Sequence, residues 1–241
     1  MKWIKVLFYI IFIVALVVSL GFTNNRYNSK ICKEYRISLE NESTSFISRG
    51  EIILLLESIS DSIVGQPLHS LPLFEIERIL EKLNKIENVE AYVLHDGHLQ
   101  IEVTQKKPIV RVKTIYNKEF YMDSKGQLFD LSKNYTERLL IANGNIKDSI
   151  DLNHVKELAN FIHSDSLWKS QIIQIYFKNN QEIELIPRVG GHSILLGDMI
   201  NYKEKFEKLK LFYQKGIYQT GWNNYEQVNL KFKNQIVCVK K

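Results

Sequence analysis

Few residues in this chain stand at spacings that could do chemistry, and each such group has a simpler structural explanation. His95 and His98 could be read as a metal pair, but they flank the Asp96-Gly97 turn signal and no third ligand lies near them in sequence. Gly190-Gly191-His192-Ser193 sets a hydroxyl beside an imidazole, yet neighbours on a strand point to opposite faces, and the Gly-x-Ser-x-Gly elbow is absent. Asp123 with Asp130, and Glu182 with Glu184, could act as paired carboxylates. Asp123 instead fits a turn, and Glu182 and Glu184 fit the polar side of an alternating strand. Cys-x-x-Cys, His-Glu-x-x-His and phosphate-cradling glycine loops do not occur. No catalytic residue, cofactor or metal ligand is expected.

The chemistry on offer is that of the backbone. Val228, Leu230, Phe232, Asn234, Ile236 and Cys238 alternate with polar neighbours and predict one C-terminal strand. A strand at a sheet edge carries unpaired N–H and C=O groups that a second chain can complete. The expected partner-binding residues are Lys231, Phe232, Lys233, Asn234, Gln235, Ile236 and Val237. Lys231 and Lys233 could steer an acidic partner or guard the edge against aggregation, and proline at Lys233 or Gln235 would interrupt a shared ladder.

The elements that must carry this edge begin at a membrane. Trp3 to Phe22 is apolar except for Lys5, Ser19 and Gly21, and at ~1.5 Å per residue a helix of that run is about 30 Å long, the thickness of a bilayer core. It reads as an uncleaved anchor, with a cleaved signal peptide ending near Ser19-Leu20-Gly21 as the alternative. Cations flank it on both sides, Lys2 and Lys5 before and Arg26, Lys30, Lys33 and Arg36 after. A count of these cations would put the N-terminus outside, but a first helix with almost no tail is handled like an uncleaved signal sequence, so the expected orientation is N-terminus in and body exported. The formal charge of +5 is spread among acidic residues, which excludes a nucleic-acid-binding block. The two cysteines, Cys32 and Cys238, are too few for a disulfide framework, and whether they pair stays open.

Beyond a polar tether, Tyr35, Ile37 and Leu39 predict a strand. Ser48 and Glu51 form a capping box ahead of a helix on Ile52, Leu55, Leu56 and Ile59. Pro72 opens a second helix whose buried face is Ile76, Ile79, Leu80, Leu83 and Ile86. Val89, Ala91, Val93 and then Leu99, Ile101, Val103 alternate about Asp96-Gly97, a hairpin with a type I′ turn. From Ile109 strands dominate. Turns fall at Asn117-Lys118, at 123–126 and at Asn179-Asn180, and a helix lies between Leu152 and His163. Ile173, Ile175 and Phe177 form one strand face, Ile183 to Pro187 and His192 to Leu196 two more strands. A helix on Tyr202, Phe206, Leu209 and Tyr213 ends at Gly216. The expected fold is α+β: a cytoplasmic tail (1–5), a transmembrane helix (6–22), a tether (23–34), a strand-helix-helix-hairpin module (35–110) and a β-rich domain with flanking helices (111–241).

This order of elements resembles the bacterial cell-division FtsQ/DivIB family, and the first module looks like its POTRA domain. The residues that carry the resemblance are Phe46 to Ile52, Leu80-x-x-Leu83-Asn84-x-Ile86 continuing to Val93, and Leu99 to Ile109, where Gln105-Lys106 replaces the family's acidic-basic pair. In the second domain they are Asp123-x-x-Gly126-Gln127-Leu128-Phe129, Ile194-x-Leu196-Gly197 and Val228-Asn229-Leu230-Lys231-Phe232. The composition is similar to that of Bacteroidetes members. The resemblance implies a non-enzymatic divisome scaffold that holds FtsB- and FtsL-type partners at the septum by strand addition to its last strand. Phe232 takes the position of a family tyrosine without its hydroxyl, and the family's C-terminal tryptophan has no counterpart around Val239-Lys240. The alternative is a POTRA-type chaperone or assembly factor for exported proteins; a third class is an envelope enzyme built from dispersed residues.

Overall fold

Reciprocal bonds between Ser48 and Glu51 start the helix that opens at Arg49. The Ser48 amide donates to Glu51 Oε2 at 2.7 Å and the Glu51 amide donates to Ser48 Oγ at 3.2 Å, the capping box expected from the sequence. The structure is a computed structural model and describes residues 3, 8–19, 30–40, 45–59, 62–133, 135–179, 182–217 and 221–241. By its contacts the chain divides into two units, Met1–Gln105 and Lys106–Lys241.

Residues 8–19 form a helix, α1, whose large apolar side chains are exposed along its length. Among the described residues no helix is long and apolar enough to cross a membrane. The ends of the expected membrane segment (6–7 and 20–22), most of the tether (23–29) and Asn180 lie outside the described residues.

The rest of the first unit follows the order β1 (Glu34–Leu39), α2 (Arg49–Ile59), α3 (Leu73–Leu80), β2 (Ile86–Val93), β3 (His98–Gln105). The sheet order is β1-β3-β2, with β1 parallel and β2 antiparallel to β3. A parallel pair needs a long crossover, and α2 and α3 supply it while burying Ile52, Leu56, Ile76 and Leu80 in one core with Leu99, Ile101 and Val103. The hairpin pairs Val89 with Val103, Ala91 with Ile101 and Val93 with Leu99, as the alternation predicts.

Two expectations for this unit need correction. Helix α3 stops at Leu80, and Ile86, expected on its buried face, opens β2. The i, i+3 spacing of Leu80, Leu83 and Ile86 imitates a helix, but Ile86 is drawn into the ladder opposite Gln105. The hairpin turn is not type I′ either. Leu94 donates to His98 O, Gly97 donates to Leu94 O, and only Gly97, at φ +90°, is left-handed. That is a three-residue loop with glycine at the left-handed place. The same pattern recurs at Thr114–Lys118, with Asn117 at φ +57°, and at Asp123–Gln127, with Gly126 at φ +85°.

The second unit contains β4 (Pro108–Lys113), β5 (Glu119–Asp123), β6 (Leu128–Asp130), β7 (Leu140–Gly144), α4 (Ser149–Ser164), α5 (Ser166–Gln171), β8 (Ile172–Phe177), β9 (Ile183–Pro187), β10 (Ser193–Gly197), α6 (Tyr202–Leu211), β11 (Tyr225–Asn229) and β12 (Val237–Lys240). The whole of β4 belongs here because its ladder partners are β5 and β7, so the boundary falls at Gln105–Lys106 and not at 110–111. The nine strands lie in the order β12-β11-β10-β9-β8-β7-β4-β5-β6. Helices α4, α5 and α6 bury Val155, Leu158, Ile162, Trp168, Phe206 and Leu209 in one core with Val110, Val112, Ile175, Leu185, Leu196 and Val228. On other strand positions polar pairs run across the sheet, such as Gln174 Nε2 to Asn143 Oδ1 at 2.8 Å and Gln227 Nε2 to Glu184 Oε1 at 3.1 Å.

Helix α5 has no periodic stripe long enough to signal it. Asp165 caps it by accepting from the Leu167 and Trp168 amides at 2.8 and 3.3 Å, and Trp168 packs on Phe206 with ring centroids 5.0 Å apart. Gly216 does not cap α6 but lies within a π-helical turn, Phe212–Ile217. The expected single C-terminal strand is a hairpin, β11 and β12, with Lys231 to Gln235 in its connection.

Candidate partner-binding edge

Strand β11 is paired on both sides, parallel to β10 and antiparallel to β12. Strand β12 has β11 alone and ends the sheet. Pairing sets Val237 opposite Asn229, Cys238 opposite Val228 and Val239 opposite Gln227, and the Lys241 amide donates to Asn224 O at 3.2 Å. Amides alternate along an antiparallel strand, so those of Val237, Val239 and Lys241 face β11 while those of Cys238 and Lys240 face outward. The outward groups make no backbone hydrogen bond among the described residues.

The side chains alternate too. Cys238 and Ile236 pack against the core, and burial raises the Cys238 thiol pKa. Val237 and Val239 are 39 and 48 % exposed on the opposite face. Two valines beside free backbone groups make a short apolar strip that a further strand could cover.

The β11–β12 connection is tied down by lysines. The Leu230 amide donates to Leu195 O at 2.9 Å, which carries the β10 ladder past the end of β11. The Lys231 amide donates to Asn229 Oδ1 at 3.0 Å, and Lys231 Nζ meets Glu182 at 2.7 Å. Gly197, at φ +77°, lets the Lys231 stem pass, since a Cβ there would lie 2.7 Å from Lys231 Cγ. From α6, Lys208 Nζ donates to the carbonyls of Leu230 and Phe232, and its partial burial, with Lys205 nearby, lowers its pKa. Lys205 in turn pairs with Asp198 at 2.8 Å, a bond that holds the Asp198 carboxyl below its usual value.

The sequence-based site residues are therefore split between turn and strand. Lys231 leaves β11, Phe232 (44 % exposed), Lys233 and Asn234 form the turn, Gln235 and Ile236 lead out of it, and Val237 alone begins β12. A proline at Lys233 or Gln235 would alter the turn and not the edge ladder. Val239 was read from the sequence only as a nearby side-chain anchor, and Cys238 and Lys240, which form the edge with it, were missed. The signal for them was the polar run Lys233-Asn234-Gln235, whose composition marks a turn inside the alternating stretch.

Residues 107–239 match the family described as FtsQ/DivIB, C-terminal related. The chain belongs to the FtsQ/DivIB family. Residues 30–104 match the POTRA-like domain, so the two matches coincide with the two units of the fold. Comparison with curated proteins gives no match. FtsQ/DivIB proteins are membrane-associated cell-division proteins that act as structural scaffolds and interact with other divisome proteins. Of the two candidate metal histidines in this FtsQ/DivIB chain, His98 has Nδ1 2.8 Å from Asp96 Oδ1 at the turn and His95 is exposed. His192 is buried, with Nε2 3.0 Å from the Tyr213 hydroxyl. Among the described residues no group of three or more His, Cys, Asp or Glu could hold a metal ion.

Proposed function

We propose that this chain is a single-pass inner-membrane scaffold of the divisome, N-terminus cytoplasmic and body periplasmic, which holds FtsB- and FtsL-type partners by strand addition to β12. The observation that carries this reading is the free side of β12, where the outward amides of Cys238 and Lys240 flank the exposed Val237 and Val239. An added strand gains main-chain hydrogen bonds from those groups and side-chain contact from the valines. The anchor, Trp3 to Phe22, would bring the edge to its bitopic partners in the plane of the membrane.

The other edge strands are β6 in the same sheet and β1 and β2 in the POTRA-like unit. Strand β6 has three residues. In the POTRA-like unit the outward amide of Ala91 on β2 is already taken, since it donates to Glu77 Oε1 at 2.8 Å. Ahead of β1 the Cys32 amide donates to Gln66 O and the Gly65 amide to Cys32 O, so the chain is bonded up to the start of that edge strand. The Glu77 contact weighs against client strands pairing at the centre of β2, one of the two POTRA edges that the chaperone alternative could use.

Lys240→Pro tests the reading. It removes an outward amide without touching the β11–β12 bonds. The loss of one ladder bond and the clash of the proline ring with an incoming strand should weaken capture of purified FtsB and FtsL by about tenfold or more. The thermal midpoint should stay unchanged. Full binding by a folded Lys240→Pro protein would sink the proposal.

A further inference from the structure

At the end of the nine-stranded sheet where β4, β7 and β8 begin and β9 stops lies a cleft of about 230 Å³. Its apolar wall is made by two irregularities. In the β4–β5 ladder Pro108 pairs with Asp123 and Val110 with Met122, which leaves Ile109 as an extra residue. In the β8–β9 ladder Ile172 pairs with Pro187 and Gln174 with Ile186, which leaves Ile173 over. A bulge re-aims the side chain of its extra residue. Regular alternation would bury Ile173 with Ile175 and Phe177; it instead stands 36 % exposed at the rim, above Ile109 and Ile172.

The polar rim is cationic. Arg138, Lys169 and Arg188 line it with His163, against a single carboxylate, Glu137. Burial raises the Glu137 pKa, against the pull of Lys169, and burial together with Lys169 lowers that of His163. Arg188 Nε donates to Ser170 O at 3.0 Å; among the described residues the Arg138 and Lys169 side chains make no hydrogen bond or close ion pair, although Lys169 attracts Glu137. A cleft of about 530 Å³ where β8 stops and β9 begins differs in this respect. There Lys205 is paired with Asp198, Lys231 with Glu182, and Asp148 caps α4, so its charges are already matched.

We propose that the Ile109–Ile173 cleft is a second docking point, which takes an acidic segment of a protein partner. One apolar side chain enters between the two bulge isoleucines, and a neighbouring carboxylate meets Arg138 and Lys169. The cleft is smaller than the roughly 300–1,000 Å³ of sites that enclose a whole small molecule, and it suits one side chain of a longer segment. The excess of Arg138, Lys169 and Arg188 over Glu137 sets the sign of the partner. The site is separate from β12 and does not depend on strand addition.

Isoleucine-methyl NMR of the full chain in nanodiscs tests this with the peptide acetyl-Gly-Leu-Glu-Asp-Gly-amide. Saturable shifts at the Ile109 and Ile173 methyls are expected, reduced by salt. Affinity should be about fivefold or more weaker in the folded Arg138→Ala/Lys169→Ala double variant. The Lys240→Pro variant should bind the peptide as the parent does. Absence of saturable shifts, equal binding of a control peptide with lysine for both acids, or unchanged affinity in the double variant would overturn the proposal. So would response of those methyls to acetate or to phosphatidylglycerol vesicles but not to the peptide, since the site would then belong to a small anion or a lipid surface.

Discussion

Lys208 Nζ, projecting from α6, lies 3.3 Å from the carbonyl oxygen of Leu230 and also donates to that of Phe232. An ammonium group thus satisfies two carbonyls of the β11–β12 connection that have no strand to bond. A charged donor to a partly buried carbonyl contributes more than a neutral one. Lys208→Met keeps the stem and removes the donor. It should cost about 1 kcal/mol of stability in urea titrations and weaken partner capture as the hairpin loosens. Unchanged hydrogen exchange across 225–240 would show that the turn does not need this tie.

Glu77 closes the β2 edge through the Ala91 amide. Glu77→Leu strands that amide and should cost about 1–2 kcal/mol, the usual range for a part-buried donor left without a partner. It should also expose a strand edge that pairs with a second copy. Light scattering would then show concentration-dependent association, whereas Glu77→Gln, which keeps an acceptor, should stay like the parent.

The capping box makes a smaller and purely local prediction. Ser48→Ala loses the acceptor for the Glu51 amide and should lower unfolding free energy by about 1 kcal/mol. The m-value should not change, because no core contact is lost.

His192 predicts acid sensitivity with a defined sign. Burial, with Lys241 nearby, lowers its pKa in the folded chain, although a hydrogen bond at the Gly190 backbone opposes the shift. The unfolded chain therefore binds the proton more readily than the folded one. Stability from this group is fully present above the unfolded value of about 6.5 and is lost as pH falls toward the lower folded value. Urea midpoints measured between about pH 7.5 and 5 should fall, and His192→Gln should flatten that stretch of the curve. An equally steep fall in the variant would assign the effect to other groups.

Alternation made the β2–β3 register legible, because a slip by one residue would turn Val89, Ala91 and Val93 out of the core. The capping box was legible for a similar reason: both partners stand within one helical turn. The terminal hairpin was not. Its connection preserves the parity of the run, so Val228 and Cys238, directly opposed across the hairpin, read as positions on one continuous strand. Ile173 was misassigned because a bulge shifts parity without changing composition.

What the sequence determined by itself was therefore local: an apolar N-terminal run, the helix starts, the alternating strands, and motifs whose order belongs to the FtsQ/DivIB family. Which strand ends the sheet, which edge a carboxylate closes, and which isoleucines leave the core were decided only in the tertiary structure. Those properties depend on backbone groups meeting partners far along the chain, as the Ala91 amide meets Glu77 and the Leu230 carbonyl meets Lys208. Side-chain periodicity records which face a residue turns to the core, and carries no information about whether the neighbouring strand exists.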